Sequence, residues 1–370
     1  MKIRSVEAIP VAASFKQTFR FGTTDRTTSP NVVVIIRTDE GPCGYGEACP
    51  VPAFTSETQK SIVELVEERV APVLVGRNPE HRLPLLRDLA RVLKSAPFTT
   101  AAVDTALLDL LGRALNVPVH TLLGGTFRDR TEVHGSVGWD EDPGRMVDVA
   151  REQSETYRWL KLYAGRGELD ADLDRLQAVR DAVGPAIKLF VDINAMWTPS
   201  DLTRVLPRLD EIGLSLLEQP LPPAAAAYQR ELVGSLRVDI AADEAVRIVS
   251  DAATVVREGS ATVINLGHSK LGGPTAALQT AQIAHASGVG LMVGSVIEMG
   301  IATAMGLHLA AALPELAYPS YLLGPLKYHQ QLTDQQVEVI DGHIAIPEGP
   351  GLGFTVDETE LRRLDARNQH

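Results

Sequence analysis

Three acidic residues recur at regular spacing in the second half of this 370-residue sequence. Asp192, Glu218 and Asp243 each follow a short apolar run, and they stand 26 and 25 residues apart. That distance is one strand–helix unit of a parallel sheet. We therefore expect the three carboxylates to come from three adjacent strands, at one height and at the strand ends where barrel enzymes carry their active sites.

Three carboxylates at one place would repel one another by several kcal/mol per pair at about 4 Å and an intermediate dielectric. A cation between them would remove this repulsion. Hard oxygen ligands with positions left open for water and substrate suit Mg²⁺, with Mn²⁺ as the other candidate. The alternative is that single carboxylates cap helices or join salt bridges, but all three share the same position in consecutive units. The sequence predicts one divalent ion here.

A lysine and a tyrosine end the run WLKLY, one unit earlier. Strand alternation puts Lys161 and Tyr163 on the same face. A lysine pointing into a barrel is costly unless it meets an anion. We expect Lys161 to contact a substrate carboxylate or enolate and Tyr163 to act as acid or base. The alternative is a salt bridge from Lys161 to a neighbouring carboxylate, with Tyr163 as packing.

The elements that position these residues alternate at a period of roughly 27 residues. Apolar runs separated by amphipathic helical stretches start near residues 132, 159, 187, 214, 238, 262, 289 and, more weakly, 317. Eight such units favour a closed (β/α)₈-type barrel over an open sheet. No glycine-rich loop follows the first strand, which argues against a dinucleotide fold.

The first third of the chain has a different pattern. Strands are predicted at 2–12, at 31–38 and near 44–47, followed by helices at 56–75, 80–94 and 98–115. The tail returns to strand-and-turn residues and should pack back on this part. We predict an α+β domain over 1–125 that is completed by 342–370, and a barrel domain over 126–341 that carries the active site.

Composition narrows the class of protein. A net charge of −12 disfavours binding to nucleic acid. No apolar run reaches the roughly 18 residues of a membrane span, and Glu7 interrupts the apolar start. Cys43 and Cys49 are too few for a disulfide framework or a zinc site. We expect a cytoplasmic enzyme that acts on a small molecule.

Several motifs together resemble the enolase superfamily, in its muconate-lactonizing and mandelate racemase-like subgroup. They are GYGEACP, TAAVDTALLDLLGRALNVPVHTLLGG, LFVDINAMW, LEQPLP, IAADEAV, SKLGG, VGSVIEMGIATAMGLHLAA and PEGPGLGF. The resemblance implies a modified (β/α)₇β TIM-type barrel with an N-terminal α+β capping domain. It implies that Asp192, Glu218 and Asp243 are the metal ligands. It also implies removal of a proton α to a carboxylate through a metal-stabilised enediolate, and a homo-oligomer, either dimer or octamer.

The sequence departs from the subgroup at both usual catalytic lysines. Tyr163 stands where the base lysine is usual, Gly267 stands where the lysine of the opposite face is usual, and Lys270 matches a further, non-catalytic lysine. Racemisation needs a group on each face, so elimination or cycloisomerisation of a small carboxylate is expected first. A tyrosine can serve as base if the metal or Lys161 lowers its pKa, and we expect Gly267 to open space for a bulkier substrate.

Two alternatives stay open. One is a racemase or epimerase of an amino-acid or dipeptide-like substrate, although dipeptide epimerases carry Asp-x-Asp where this chain has Tyr321, Leu322 and Leu323. The other is a non-catalytic relic that binds a carboxylate. Further residues are expected to support the metal ligands or to touch substrate: Asn194, Glu244, His268, Lys270, Glu298, Tyr321, and Phe19 in a loop over 15–30 that closes on the barrel mouth.

Overall fold

The N-terminal part is a three-stranded antiparallel sheet covered by helices. The structure, a computed structural model, describes residues 1–21, 24–233 and 237–368, without the side chains of residues 19–21, 24 and 232. The sheet has the order β1 (Ile3–Phe21), β2 (Thr24–Thr38) and β3 (Cys43–Ala48). The helices are α1 (Gln59–Leu65), a π-helical turn (Val66–Val70), α2 (Ala71–Leu74), a 3₁₀ turn (Pro79–His81), α3 (Arg82–Val92), α4 (Pro97–Leu115) and α5 (Val119–Leu122).

The hairpin of β1 and β2 is longer than predicted. Its pairing continues past a register shift between Ser14 and Phe19 and reaches Phe21 opposite Thr24. The prediction of a loop over 15–30 is therefore wrong: most of this segment is a two-stranded antiparallel ribbon. Ladder hydrogen bonds hold a polar stretch extended although its composition suggested a loop. The side chain of Phe19, expected at the barrel mouth, lies outside the described residues.

The GYGEACP motif lets β3 lie directly on α4. A Cβ on Gly46 would overlap the Ala102 carbonyl oxygen, and a Cβ on Gly44 would overlap the Ala106 carbonyl oxygen. Only glycine permits this close approach of strand and helix. The contact fixes Glu47, which follows Gly46 in the strand.

A parallel barrel follows, as predicted. A short strand β4 (Arg130–Glu132) precedes it outside the barrel sheet. The barrel strands are β5 (Gly135–Val137), β6 (Trp159–Tyr163), β7 (Lys188–Asp192), β8 (Leu216–Glu218), β9 (Asp239–Ala242), β10 (Val263–Leu266) and β11 (Gly290–Val293), which form one parallel sheet in chain order. Its helices are α6 (Pro143–Ser154), α7 (Leu169–Val183), α8 (Pro199–Ile212), α9 (Ala226–Val233), α10 (Val249–Glu258), α11 (His268–Leu271), α12 (Pro274–Ala286) and α13 (Gly300–Ala312). Within the described ranges, no helix is long and apolar enough to cross a membrane.

The weak eighth run closes the barrel without forming a regular strand. On one side the amides of Ala317 and Tyr321 donate to the β11 carbonyls of Leu291 and Val293, at 2.8 and 2.9 Å. On the other side Ser320 forms a parallel bridge with Val133, just before β5. The result is a modified (β/α)₇β barrel with an N-terminal α+β capping domain.

The tail returns to the first half of the chain. Strand β12 (His343–Ala345) pairs with β4, and helix α14 (Glu358–Arg363) lies beside β1, where the Ala12 amide donates to the Leu364 carbonyl at 3.0 Å. Glu47 adds a link between the two halves, since its carboxylate accepts hydrogen bonds from the amides of Met299 (2.7 Å) and Ala302 (3.0 Å) at the start of α13. The exact boundaries 1–125, 126–341 and 342–370 stay a prediction.

Candidate active site and metal centre

The three predicted carboxylates meet at the C-terminal ends of β7, β8 and β9. Strand register pairs Asp192 with Glu218, and Glu218 with Ala241, two residues before Asp243. One oxygen from each carboxylate lies within 4.8 Å of the other two, and all three residues are buried. Inward-facing residues two positions earlier belong to an apolar floor: Phe190, Leu216 and Ala241. An all-oxygen trio above an apolar floor fits Mg²⁺ or Mn²⁺.

Two buried lysines balance part of the negative charge of the trio. Lys161 Nζ lies 2.7 Å from Asp192 Oδ2 and 2.9 Å from Glu218 Oε2. Lys270 Nζ donates to the Asp243 carboxylate and, at 2.6 Å, to the Asp243 carbonyl oxygen. The alternative considered for Lys161, a salt bridge to neighbouring carboxylates, is therefore present. Because an ion would bind the same oxygens, it would share them with these ammonium groups.

Burial and mutual repulsion shift the proton affinities of this cluster. Burial and the nearby Asp192 raise the pKa of Glu218 to about 7, against the opposing charge of Lys161. Burial also raises the pKa of Asp192. Burial disfavours the Lys161 ammonium, but Asp192 and Glu218 outweigh it and hold its pKa well above the usual range. Lys161 is therefore a permanent cation beside the carboxylates.

Polar neighbours orient the ligand side chains. The backbone amide of Asn194 donates to Asp192 Oδ1 at 2.9 Å, and the side-chain Nδ2 of Asn194 donates to Glu244 Oε1 at 3.3 Å. Asn194 and Glu244 therefore lie beside the carboxylate trio that they were predicted to support. Gln219 Oε1 accepts from the Asp243 amide at 2.9 Å. Asn265 Nδ2 donates to Glu218 Oε1 at 2.8 Å. Such outer partners fix the geometry of metal ligands.

Sequence reasoning missed Gln219 and Asn265, although each carried a signal. Gln219 directly follows a predicted ligand. Asn265 lies at an inward position of β10, one residue before the end of that apolar run. Gln219 also has a φ of 36°, a left-handed conformation that is uncommon for a residue other than glycine.

A cavity of about 370 Å³ opens above the carboxylates, at the mouth of the barrel. The capping domain covers it with residues 51–54. Seven predicted site residues line this cavity: Lys161, Tyr163, Asp192, Asn194, Asp243, Glu244 and Tyr321. The Tyr321 hydroxyl is 3.1 Å from Ser136 Oγ. The cavity thus combines a metal site, a fixed cation and a phenol in one enclosed space.

The space above Gly267 is not open, contrary to the prediction. A Cβ placed on Gly267 would lie 3.1–3.3 Å from the Cγ, Cδ and Cε atoms of Lys270. Helix α11 begins directly after Gly267, so three residues make one turn and bring Lys270 back over the strand end. Lys270 fills the volume that the missing side chain would have left.

His268 and Glu298 do not line the cavity. His268 is buried within α11, away from the cavity in which it was expected to support the ligands or touch substrate. Glu298 accepts hydrogen bonds from Ser269 Oγ at 2.7 Å, from the Val296 amide at 3.0 Å and from Ser295 Oγ. Glu298 therefore holds the loop after β11 through hydrogen bonds and does not reach the cavity.

The pKa of Tyr163 is raised, whereas service as a base would need it lowered. Burial raises the pKa of this phenol well above its ordinary value, and the charge of Lys161, 5.2 Å from the ring centroid, only partly opposes the shift. Tyr163 is therefore a protonated phenol at neutral pH. In that form it can donate a proton, which is the acid half of the acid–base role expected for it.

Comparison with known proteins shows the same architecture along almost the whole chain. Residues 4–124 match the family model described as mandelate racemase / muconate lactonizing enzyme, N-terminal domain, and residues 145–360 match the enolase C-terminal domain-like model. The chain belongs to this family. It is 34% identical over 361 residues to muconate cycloisomerase 1 of Rhodococcus opacus, covering 96% of each chain.

Solved structures agree with this membership. The muconate lactonizing enzyme from Pseudomonas fluorescens complexed with muconolactone has a TM-score of 0.94 at 31% identity, over 98% of this chain and 99% of that one. The 2-chloromuconate cycloisomerase from Rhodococcus opacus 1CP has a TM-score of 0.95 at 26% identity, over 99% and 100%. This family member is an enolase-superfamily enzyme with Mg²⁺ or Mn²⁺ as its cofactor, and the three carboxylates form a cluster that could hold the ion.

Metal affinity of this enzyme should depend on pH. Since the pKa of Glu218 is raised to about 7, a proton must leave before an ion binds at lower pH. Mg²⁺ affinity is expected to fall about tenfold per pH unit below about 7 and to level off above it. Calorimetry in buffers of different ionisation enthalpy should show about one proton released per ion at about pH 6. Equal affinity across this range would contradict the assignment.

Lys270 should stabilise the metal-free protein more than the metal-loaded one. Lys270→Met leaves Asp243 buried without its cation, which typically costs about 3–5 kcal/mol of unfolding free energy. Saturating Mg²⁺ should recover part of the loss. Urea unfolding with EDTA and with Mg²⁺ checks this. The control Arg204→Met removes an exposed ion pair with Asp170, in which the N and O atoms are 3.8 Å apart. It should lower the unfolding free energy by about 0–1 kcal/mol, both with EDTA and with Mg²⁺. An equal loss for Lys270→Met with and without Mg²⁺ would argue against the prediction.

Proposed function

We propose that this enzyme interconverts an unsaturated dicarboxylate of the muconate type and its lactone by metal-dependent cycloisomerisation. The supporting observation is the one-sided placement of proton-transfer groups. Lys161 and Tyr163 line the cavity from β6, whereas Gly267 offers no side chain and the nearby Lys270 is tied to Asp243. The cycloisomerase relatives support the same reaction class.

Cycloisomerisation moves one proton on one face. In the lactonising direction a carboxylate oxygen forms a bond to a carbon of the diene, the π electrons shift toward the other carboxylate, and a proton adds at its α carbon. When bound, the divalent ion supplies Lewis-acid stabilisation of the charge that develops on that carboxylate. The Lys161 ammonium adds a fixed positive charge beside it. The Tyr163 phenol is positioned to deliver the proton, and in reverse the phenolate would take it back.

The other candidate reactions have less support. Epimerisation needs an acid–base group on each face, and the Gly267 side provides none that lines the cavity. Elimination and a carboxylate-binding relic find no support among the relatives. The same holds for an amino-acid or dipeptide substrate, since Tyr321 lies where an ammonium-binding acid would be needed.

Turnover in deuterated water tests the proposal directly. The Mg²⁺-loaded enzyme is incubated with muconate and chlorinated muconates, and products are followed by diene absorbance and NMR. The expected product is a lactone with one deuteron at the α carbon, in a single configuration. Exchange at the α carbon of both stereoisomers of a carboxylate would favour epimerisation. Release of water from a hydroxy acid would favour elimination.

A further inference from the structure

His134 is a cavity residue that the mechanism above does not use. It lies at an inward position just before β5 and is fully buried, yet it lines the same cavity as the metal ligands. Its ring stacks on Tyr321, with centroids 5.0 Å apart, and meets the edge of Phe190 at 4.7 Å. Two aromatic neighbours therefore fix the orientation of the imidazole.

The hydrogen bond of His134 defines its tautomer. Nδ1 is 2.9 Å from the Gly135 carbonyl oxygen, which can only accept, so Nδ1 carries the hydrogen. Nε2 is then a lone-pair acceptor, and it has no hydrogen-bond partner among the described residues. Burial and the charge of Lys161 lower the pKa of His134 to about 3, so the ring stays neutral. An unpaired buried acceptor is unfavourable.

Asn265 holds a second unpartnered acceptor in the wall of the cavity. Its Nδ2 is used on Glu218 at 2.8 Å, which directs Oδ1 away from the metal ligand. Oδ1 is buried and likewise unpartnered within the described part of the chain. Gly294 leaves room for it, because a Cβ there would overlap the Asn265 amide oxygen. Two fixed, neutral acceptors without a protein partner among the described residues therefore lie in the cavity wall, in addition to the cations of the site.

We propose that the substrate carries a hydrogen-bond donor, a hydroxyl or an amide N–H, which binds His134 Nε2 while its carboxylate occupies the metal end of the cavity. This inference rests on the proposed function and specifies its substrate class. A plain dicarboxylate has only acceptor oxygens when ionised, so its distal end would face His134 and Asn265 without a donor. The preferred substrate is then a muconate-type dicarboxylate that also carries such a donor, with plain muconate a poorer substrate, and His134 is a specificity-determining residue.

A matched ligand pair tests this without any turnover. Adipate and its isosteric monoamide differ only in a distal carboxylate against a distal amide. Their dissociation constants are measured by calorimetry on the Mg²⁺-loaded enzyme and on two variants. His134→Phe keeps an aromatic ring but removes the acceptor, and His134→Gln keeps an amide oxygen. The dissociation constant of adipate divided by that of the monoamide should be about tenfold larger in the wild type than in His134→Phe. His134→Gln should keep at least part of that preference.

Two outcomes would overturn the inference. In one, His134→Phe leaves the ratio of the two dissociation constants unchanged within about twofold; in the other, it changes both dissociation constants by the same factor. If either variant fails to fold, ¹⁵N NMR of the wild-type histidines replaces it. The Nε2 shift of His134 should then move with the monoamide and not with adipate, and equal shifts would overturn the inference. Because no product is measured, failure here is distinct from failure of the cycloisomerase proposal, which appears as absence of lactone.

Discussion

Tyr163→Phe is expected to lower kcat by about 10²–10⁴-fold, the usual contribution of a positioned acid or base. The substitution removes one hydroxyl from a buried ring and keeps the ring itself beside Lys161. The variant should lack only the hydroxyl that delivers the proton to the reacting carbon. Steady-state kinetics on the muconate panel measures the loss, and an Mn²⁺ titration should give the same affinity as for the wild type.

A phenol outside the cavity provides the control for Tyr163→Phe. Tyr157 is mostly buried in the barrel wall and does not line the cavity. Tyr157→Phe should keep most of the wild-type kcat. Full activity in Tyr163→Phe would remove Tyr163 from the mechanism. Equal losses in the two variants would point to a structural effect of hydroxyl removal.

Glu218→Gln is expected to weaken metal binding more than substitution of any residue that only hydrogen-bonds to a ligand. Turnover should be abolished as well, because it depends on the metal. Loss of an outer partner of a metal ligand typically costs about 10–100-fold in affinity, so loss of a ligand carboxylate should cost more than about 100-fold. The side chain keeps its shape, and Asn265 still has an oxygen to donate to. Competition with a fluorescent chelator measures the affinity.

Glu244→Gln is the matched control for Glu218→Gln. Glu244 is a buried carboxylate next to Asp243 in sequence, but it is not one of the three that come together. Glu244→Gln should lower the metal affinity by about 10–100-fold or less. If Glu244→Gln weakened binding as strongly as Glu218→Gln, the assignment of the three ligands would be wrong.

The metal trio could be predicted because strand ends repeat at the period of the barrel. Asp192, Glu218 and Asp243 follow apolar runs of similar length, so position along the chain translates directly into height in the sheet. The closing segment 317–321 gives only a weak sequence signal because its backbone pairs with β11 and with Val133 without forming a regular strand.

Features that depend on tertiary context could not be predicted in the same way. The turn that brings Lys270 over Gly267 is made by a four-residue helix, which has no periodic pattern to detect. The raised pKa of Tyr163 comes from burial that only the closed barrel creates. His134 had a usable signal, since it lies at an inward position two residues before Ser136, but it ends no apolar run.

The most direct test of the metal site is diffraction from crystals soaked in Mn²⁺, with data collected at the manganese absorption edge. We predict one anomalous peak per chain, bonded to oxygen atoms of Asp192, Glu218 and Asp243, with Lys161 and Lys270 still beside the carboxylates. The peak should be absent from Glu218→Gln at the same Mn²⁺ concentration. A peak bonded to other residues, or no peak while both ammonium groups occupy the trio, would contradict the account.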